Sequence, residues 1–423
     1  MFLLSRLMRA FVRKGHLTII DAAGRRHVFS GEPGPRVTVR LHDPKLHWTL
    51  ATDPEMAAGE AYMDGTITFE EGSGLKDMLE LYGSNVTYLE AHPLQKAILW
   101  FRGLFKRRQQ SNRKGEAEQH VAHHYDIGND FYRLFLDRNM LYSCAYFREA
   151  GETLEEAQRN KLRLIAAKLD LKPGQRILDI GSGWGDMALY LASMENVEVV
   201  GVTLSREQQA LSTERARQAG LADRVRFELK DYRDVEGPFD RIVSVGMFEH
   251  VGVGHYDEFF AKVKSLLPED GLALLHSIGH MTPPTVASTW IHKYIFPGGY
   301  TPALSEVFPH VENNGLWVTD LEFLRLHYAT TLAHWEARFR ENRDTVVEMY
   351  DERFARMWEF YLLACEAMFR YGSQLVFHMQ LARSRAAAPI VRDYVTDTQR
   401  LYLERERTLA PVPAPEPALA AMP

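Results

Sequence analysis

From about residue 160 onward, short apolar runs alternate with amphipathic stretches of helical length. The apolar runs predict five strands, over 176–180, 197–203, 225–229, 240–245 and 272–276. Between them, residues 206–219 and 256–267 have the apolar spacing of helices. Strands that alternate with helices in this way predict an α/β fold with a doubly wound, mostly parallel sheet. Ligands bind such sheets at the carboxyl ends of the strands.

The N-terminal part has a different pattern. Residues 2–14 place apolar side chains at helical spacing with basic ones between them, which predicts a basic amphipathic helix. This helix either docks on its own domain or meets anionic lipid head groups at a membrane surface. Residues 16–50 hold short alternating runs around turn residues and predict a small strand-rich unit. Residues 54–64 and 74–101 have helical spacing.

These patterns predict four parts. Residues 1–102 form a smaller N-terminal α+β domain, and 103–119 are a basic linker without apolar periodicity, either simply solvated or also in contact with phospholipid. Residues 120–408 form the larger domain. Residues 409–423 are rich in proline and alanine and are expected to be disordered.

Composition narrows the class of protein. The chain has 423 residues and a net charge of −6, so as a whole it is not a nucleic-acid binder, although local basic patches are compatible with this charge. Two distant cysteines, Cys144 and Cys365, make neither a disulfide framework nor a metal cluster and fit a reducing compartment. No apolar stretch approaches the ~18 residues of a membrane span. Arginines interrupt the N-terminal apolar run, which argues against a signal peptide. We expect a cytoplasmic protein without a metal.

The candidate chemistry begins at the end of the first strand of the larger domain. Residues 177–185 read ILDIGSGWG, an apolar strand followed by glycines at alternate positions, and a helical pattern follows. Glycine permits the tight turn, and the N–H groups of the helix start favour an anionic ligand group. A dinucleotide site would have a third glycine where this chain has Asp186. The spacing instead resembles the first motif of S-adenosylmethionine (SAM) methyltransferases. The alternative is a turn that binds no ligand.

Longer blocks resemble one family, the cyclopropane-fatty-acyl-phospholipid synthases and their mycolic acid relatives. They are HYDIGNDFY at 124–132, NMLYSCAYF at 139–147, GVTLSREQ at 201–208, GMFEHVG at 246–252, LHSIG at 275–279 and WIHKYIFP at 290–297. The resemblance covers roughly 120–385. It implies a Rossmann-like SAM-methyltransferase fold with a mostly parallel seven-stranded sheet, preceded by an N-terminal domain of lipid-binding type.

The resemblance also implies a reaction. The double bond of a cis-unsaturated acyl chain attacks the methyl group of SAM, and the resulting carbocation closes to a cyclopropane ring when the new methyl group loses a proton. Bound bicarbonate would accept that proton. The positions that match SAM contacts of the family are Tyr142, Ser143, Gly181, Gly183, Gly185, Thr203, Leu204, Gln208, Asp231 and Tyr232. Those that match its bicarbonate site are Cys144, Glu249, His276, the backbone of Ile278, and Tyr328.

Each polar candidate also has a purely structural interpretation. Gln208 would be an exposed residue of a helix start, Cys144 a small buried side chain, and Glu249 a charge at a helix N-terminus. His276 would be a hydrogen-bonded core histidine, and Tyr328 a packing aromatic. The aromatic residues within 290–296 and 349–361 would form core or line an acyl channel.

The expected function is cyclopropanation of unsaturated acyl chains in membrane phospholipids, at the inner face of the cell membrane and without a spanning helix. A homodimer is implied by the family alone. One alternative is methyl transfer without ring closure, which gives methylated or methylene fatty acids. Two others are a nicotinamide dehydrogenase, disfavoured by Asp186, and a lipid-binding protein with an inactive site, disfavoured by the intact motifs.

Overall fold

The structure is a computed structural model that describes residues 1–90, 127–409 and 414. The chain forms two compact units. The first unit contains Met1–Lys106, Thr285–Pro297 and Ala329–Gln374, and the second contains Arg107–Pro284, Gly298–Tyr328 and Leu375–Pro423. Two segments of the predicted larger domain thus group with the N-terminal residues. The predicted linker and all but two residues of the predicted tail lie outside the described residues, and the predicted domain boundaries stay a prediction.

The elements follow one another along the chain. The helices are α1 (Phe2–Phe11), α2 (Leu46–Thr52), α3 (Pro54–Met63), α4 (Leu75–Glu90), α5 (Asn129–Arg133), α6 (Leu154–Lys168), α7 (Asp186–Met194), α8 (Arg206–Gln218), α9 (Tyr256–Leu266), α10 (Thr289–Tyr294), α11 (Leu304–Asn313), α12 (His327–Glu341), α13 (Arg343–Met349), α14 (Glu352–Tyr371) and α15 (Asp393–Thr408). The strands are β1 (Lys14–Ile20), β2 (Arg26–Ser30), β3 (Glu32–Leu41), β4 (Ile67–Glu70), β5 (Arg176–Ile180), β6 (Glu198–Thr203), β7 (Val225–Leu229), β8 (Arg241–Val245), β9 (Leu272–His280), β10 (Trp317–Phe323) and β11 (Gln374–Ala382).

The first unit contains a four-stranded sheet in the order β2-β1-β3-β4. Strand β1 pairs antiparallel with β2 and parallel with β3, and β3 pairs antiparallel with β4. The predicted N-terminal helix is confirmed as α1, which buries Leu4 and Phe11 in the core beside this sheet. Helix α14 packs on α3 and α4. Trp290 packs edge-on against Phe360 of α14, so these aromatic rings form core here.

The second unit contains a seven-stranded sheet in the order β10-β11-β9-β8-β5-β6-β7. The five predicted strands are confirmed as β5 to β9, and they pair parallel with one another in the order β9-β8-β5-β6-β7. Strands β10 and β11 pair antiparallel and complete the sheet, which confirms the predicted α/β class with a smaller N-terminal unit. Strands β10 and β11 are not among the strands that the apolar pattern predicts.

Successive residues of β5 enter different cores. Ile177 packs with side chains of α6 and α7, whereas Leu178 packs with those of α9. Successive side chains of a strand point to opposite faces, so these two contacts show that helices cover both faces of the sheet. A strand that is buried on both faces is an apolar run. Among the helices of the described residues, none combines the length and the hydropathy that a membrane span requires.

Candidate functional site

The three glycines after β5 adopt positive φ angles of 80°, 53° and 91° at Gly181, Gly183 and Gly185. Their surroundings differ. A Cβ atom on Gly181 would lie 2.9 Å from Met247, and one on Gly185 would lie 2.7 Å from Phe227. A Cβ atom on Gly183 would meet nothing within 4 Å. Gly181 and Gly185 therefore close the turn against its neighbours, while Gly183 leaves open space at the carboxyl edge of the sheet.

Asp186, the residue that breaks the dinucleotide pattern, forms a buried ion pair. Both of its carboxylate oxygens accept hydrogen bonds of 2.8 Å from the guanidinium of Arg215 on α8. Arg215 also donates to the carbonyl oxygen of Trp184, at 2.6 Å. The side chain of Arg215 is fully buried. One arginine thus fixes both the glycine turn and the first residue of α7.

The end of β6 presents a small polar cluster. The hydroxyl of Thr203 donates to Oε1 of Gln208, at 2.8 Å, and accepts from the backbone N–H of Ser205. Ser205 caps α8 by accepting from the N–H of Gln208. Gln208 is only 4% exposed, so it is not the exposed residue of the structural alternative. Leu204, between them, is half-buried.

Residues before α6 reach the same edge. Tyr142 packs in an aromatic group, with its ring tilted against Tyr132 and edge-on to Phe135. The Ser143 hydroxyl accepts a hydrogen bond of 2.7 Å from Nζ of Lys161, and the Ser143 carbonyl accepts from Gln158. Lys161 is fully buried, and burial lowers the pKa of its ammonium to about 8. This lysine was not among the predicted site residues.

After β7, Asp231 and Tyr232 are both engaged by protein groups. The Asp231 carboxylate accepts two hydrogen bonds from the guanidinium of Arg233 and caps the short 3₁₀ helix Tyr232–Asp234. Tyr232 packs edge-on against Phe259 and is half-buried, and burial raises its pKa. Contact of these two residues with a bound adenine stays a prediction.

Three buried polar atoms around the glycine turn have no hydrogen-bond partner among the described residues. They are Oγ of Ser182, Oδ2 of Asp179 and Nε2 of Gln208. Burial raises the pKa of the Asp179 carboxyl to about 7. Buried polar atoms normally have partners, so unpaired donors and acceptors beside the opening at Gly183 fit a polar ligand. The amino acid and ribose groups of SAM offer both donors and acceptors.

The predicted bicarbonate residues begin at the end of β8. Glu249 lies in the 3₁₀ helix Phe248–His250, and its Oε1 accepts a hydrogen bond of 2.6 Å from the backbone N–H of Ile278 on β9. Its Oε2 is buried without a partner among the described residues. Burial raises the pKa of Glu249 to about 7. The Ile278 N–H is thus bonded to Glu249, and would contact an anion only by sharing that bond.

His276 lies two residues before Ile278 on β9. Its Nδ1 is 2.7 Å from Nε2 of His378 on the neighbouring strand β11, and both rings are buried. Burial lowers the pKa of both rings well below the ordinary value, so both are neutral. His276 is therefore a hydrogen-bonded core histidine, which agrees with its purely structural interpretation. Its second ring nitrogen, Nε2, takes no part in that hydrogen bond.

Cys144 and Tyr328 come from distant parts of the chain. Cys144 is fully buried, and its thiol donates to the Ala145 carbonyl at 3.3 Å. Tyr328 is buried at the start of α12. The two segments meet, because the backbone N–H of Phe147 donates to Nδ1 of the neighbouring His327, at 3.1 Å. Their contact with an anion stays a prediction.

The charge of Lys161 connects these parts of the site. It interacts electrostatically with Cys144 and contributes to the lowered pKa of His276. It also faces Asp137, whose pKa burial raises to about 7. Lys161, Arg215 and His378 escaped the sequence analysis because they lie inside a helix or a strand, outside the loop motifs. Their helical or strand spacing alone would assign them to a core.

Comparisons with known proteins agree with this arrangement. Residues 112–379 match the family described as mycolic acid cyclopropane synthetase. Cyclopropane-fatty-acyl-phospholipid synthase of Escherichia coli (strain K12) is 40% identical over 349 residues, 78% of this chain and 84% of that protein. A probable fatty acid methyltransferase of Pseudomonas putida is 36% identical over 350 residues, 80% of this chain and 85% of that protein.

A solved structure is similar over more than half of the chain. Mycolic acid cyclopropane synthase CmaA1, complexed with SAH and CTAB, has a TM-score of 0.59 and 36% identity, covering 63% of this chain and 98% of that one. SAH is the demethylated form of SAM, so the structural neighbour supports SAM as the methyl donor. Together these matches show that the chain belongs to the mycolic acid cyclopropane synthetase family of SAM-dependent methyltransferases.

Proposed function

We propose that this chain converts the cis double bond of an unsaturated acyl chain in a membrane phospholipid into a cyclopropane ring. The relative from Escherichia coli is named for this kind of substrate. The observation that carries ring closure is the buried carboxyl of Glu249, whose Oε1 is fixed by Ile278 while Oε2 has no hydrogen-bond partner among the described residues. A buried acceptor at the carboxyl edge of the sheet is suited to orient a proton acceptor.

The reaction balances as a methylene addition. The two π electrons of the double bond form a carbon–carbon bond with the methyl group of SAM, and SAH leaves with the electron pair of the broken carbon–sulfur bond. The other alkene carbon becomes cationic. When the new methyl group loses a proton, its C–H electron pair closes the ring. The site must therefore hold SAM, exclude water from the cation and accept one proton.

Bicarbonate, when bound, would supply the base for that proton. The predicted residues fit such an ion chemically. Nε2 of His276 and the Tyr328 hydroxyl can donate to its oxygens, and Oε2 of Glu249 can accept from its O–H group. An anion without a proton would be repelled by the Glu249 carboxylate. Lys161 adds a buried positive charge near Cys144 and His276.

The SAM site in this proposal combines the glycine turn with the ends of β6 and β7. Gln208 would offer its unpaired Nε2–H, and Thr203 would orient Gln208 through the 2.8 Å hydrogen bond. Gly183 would admit the methionine portion. Ser143 would cover the donor from the segment before α6, held by Lys161.

We also propose peripheral contact with the inner face of the cell membrane through the first unit. Helix α1 buries Leu4 and Phe11 but leaves Phe2 86% exposed, and the adjoining α2 leaves Trp48 66% exposed. Arg6, Arg9 and Arg13 are exposed on the same N-terminal segment. Exposed aromatics beside basic side chains suit an anionic lipid surface. A homodimer remains a prediction of the family resemblance.

The membrane proposal is tested by sedimentation with anionic vesicles. The triple change of Arg6, Arg9 and Arg13 to Glu should lower the bound fraction, because it replaces attraction by repulsion. Phe2→Ser tests the apolar contribution separately. Val28→Ser, on the exposed face of β2, is a control that removes an apolar side chain elsewhere in the same unit. Unchanged sedimentation of the triple variant would refute this part of the proposal.

A second candidate function is methyl transfer without ring closure, and the similarity to a probable fatty acid methyltransferase favours keeping it. The test is incubation with labelled SAM and vesicles of cis-unsaturated phospholipid, followed by proton NMR of the released fatty esters. Upfield ring-methylene signals, lost in carbonate-free buffer and regained with bicarbonate, are the expected result. Incorporation of label without ring signals would show that the protein transfers a methyl group without closing the ring. No incorporation would overturn the proposal.

A further inference from the structure

The buried contact between His276 and His378 leaves one proton to be placed. Both rings are neutral, and only 2.7 Å separates Nδ1 of His276 from Nε2 of His378. At this distance one nitrogen must donate and the other must accept. The position of the proton then decides what His276 offers at its remaining nitrogen, either an N–H donor or a lone pair.

The two arrangements leave different groups unsatisfied. Nδ1 of His378 is buried and has no hydrogen-bond partner among the described residues. If His276 donated, His378 would carry its own proton on Nδ1, and an N–H donor would be buried without a partner. If His378 donates from Nε2, its Nδ1 is an unpaired lone pair. Buried N–H groups without partners are rarer than unpaired acceptors, so donation by His378 is the favoured arrangement.

The surroundings of His378 favour the same arrangement. Glu322 on β10 is its register partner, and Nζ of the buried Lys168 lies 2.7 Å from the Glu322 carboxylate and 3.2 Å from that of Asp320. The charges of Lys168 and Lys161 both act on His378. Ammonium groups close to a neutral ring disfavour an additional unpaired N–H and favour a lone pair.

We propose that His378 is a positioning residue that holds His276 as the Nε2–H tautomer, so that His276 presents a donor to the anion site. This rests on the proposed function, because the anion is the bicarbonate of that proposal. With His276 and Tyr328 as donors and Glu249 as an acceptor, the site selects an ion that has both oxygen acceptors and one O–H donor. A partner histidine therefore contributes to the choice of anion without touching it.

The tautomer can be measured directly in the wild-type protein. Protein labelled with ¹⁵N-histidine, without bicarbonate, gives long-range proton–nitrogen correlations that separate protonated from bare ring nitrogens. The His276 signals are assigned by their loss in His276→Asn. The expected result is a protonated Nε2 and a bare Nδ1 on His276. A protonated Nδ1 on His276 would overturn the proposal.

Two variants test the consequence for the anion. His378→Gln retains an N–H donor toward His276, whereas His378→Leu removes it. The bicarbonate concentration for half-maximal turnover should rise roughly 10- to 100-fold in the leucine variant, the cost of a lost hydrogen bond to a charged group. It should stay near the wild-type value in the glutamine variant. Calorimetric titration with SAH shows whether each variant folds with its SAM site intact.

The outcomes separate the two proposals. If His378→Gln is as impaired as His378→Leu while both bind SAH, ring shape rather than the donor matters, and the positioning role is wrong. If neither variant changes the bicarbonate requirement, it is also wrong. If the wild-type protein turns over without any bicarbonate requirement, that part of the proposed function fails, and the nitrogen correlations alone decide the tautomer.

Discussion

Replacing Glu249 by Gln should abolish turnover and yet make the protein more tolerant of alkaline pH. The side chain is almost fully buried, and its pKa rises from an ordinary value of 4.5 to about 7 because burial disfavours the carboxylate. Gln has the same shape and can still accept the Ile278 N–H, but it never ionises. The variant therefore removes a buried negative charge, the ionised Glu249 carboxylate, that destabilises the folded protein.

The size and sign of the effect follow from this pKa. In the folded protein Glu249 keeps its proton up to about pH 7, whereas in the unfolded chain it loses the proton near pH 4.5. Between these values the unfolded state binds fewer protons, so the wild-type free energy of unfolding falls as the pH rises. At about 1.4 kcal/mol per pH unit, the wild type loses about 3 kcal/mol relative to Glu249→Gln across this window.

The assay is thermal unfolding of both proteins, without bicarbonate, at several pH values from 5 to 8. The difference in melting temperature should move in favour of the variant as pH rises, by ~3–6 °C in total. Asp137 and Asp179 titrate in the same range but are common to both proteins, so their effects cancel. Glu236→Gln, at an exposed position, is the matched control for replacing a glutamate by glutamine.

The same variant separates catalysis from binding. Because Glu249 is assigned to the proton acceptor and not to SAM, its variant should bind SAH with wild-type affinity by calorimetry. A stability difference that does not change with pH would show that the buried carboxyl does not titrate as inferred. Loss of SAH affinity would contradict its role beside the base.

Other predictions concern the groups that hold the SAM site. Arg215→Met should lower the free energy of unfolding by ~3–5 kcal/mol, because it leaves the Asp186 carboxylate buried and unpaired. In denaturant titrations, the double variant with Asp186→Leu should recover most of this loss. No recovery would show that the loss is not electrostatic. Gln208→Leu should weaken SAH binding by roughly 5- to 10-fold or more, because the hydrogen bond from Nε2 is lost while the side-chain volume is kept. An unchanged affinity by calorimetry would show that Gln208 does not contact the ligand. Lys161→Met should weaken SAH binding by a similar factor through its contact with Ser143, and wild-type affinity would show that this hydroxyl needs no anchor.

Strands β5, β6, β8 and β9 were predictable because each is a short apolar run that is buried on both faces, whereas β7 was predictable because buried Val225 and Phe227 alternate with the more polar Arg226 and Glu228. Strands β10 and β11 were missed for a physical reason. β10 is only partly buried, with charged residues such as Asp320 and Glu322, and β11 carries the buried polar residues His378 and Gln380 within its apolar pattern. Both departures weaken the hydrophobic signal on which strand prediction depends.

The site was predictable only where the chain itself carries the motif. Loop residues such as Gly183 and Glu249 stand in contiguous blocks, so one sequence is enough to single them out. A short sequence motif does not reveal contacts between residues that are far apart in the chain. The hydrogen bond from Ile278 to Glu249 spans 29 positions and that between His276 and His378 spans 102, and both depend on sheet order. The family resemblance therefore named the bicarbonate candidates, but neither the bond between Ile278 and Glu249 nor the contact of His276 with His378.

The ion pair between Asp186 and Arg215 also limits how this protein can evolve or be redesigned. Changing Asp186 to Gly would restore the dinucleotide spacing, yet it would strand a fully buried guanidinium and loosen the Trp184 carbonyl that the same arginine holds. A single substitution toward another cofactor would therefore pass through a destabilised protein. Asp186 and Arg215, 29 residues apart, should be exchanged only together. Epistasis of this kind keeps the glycine turn committed to one ligand even where its backbone would suit another.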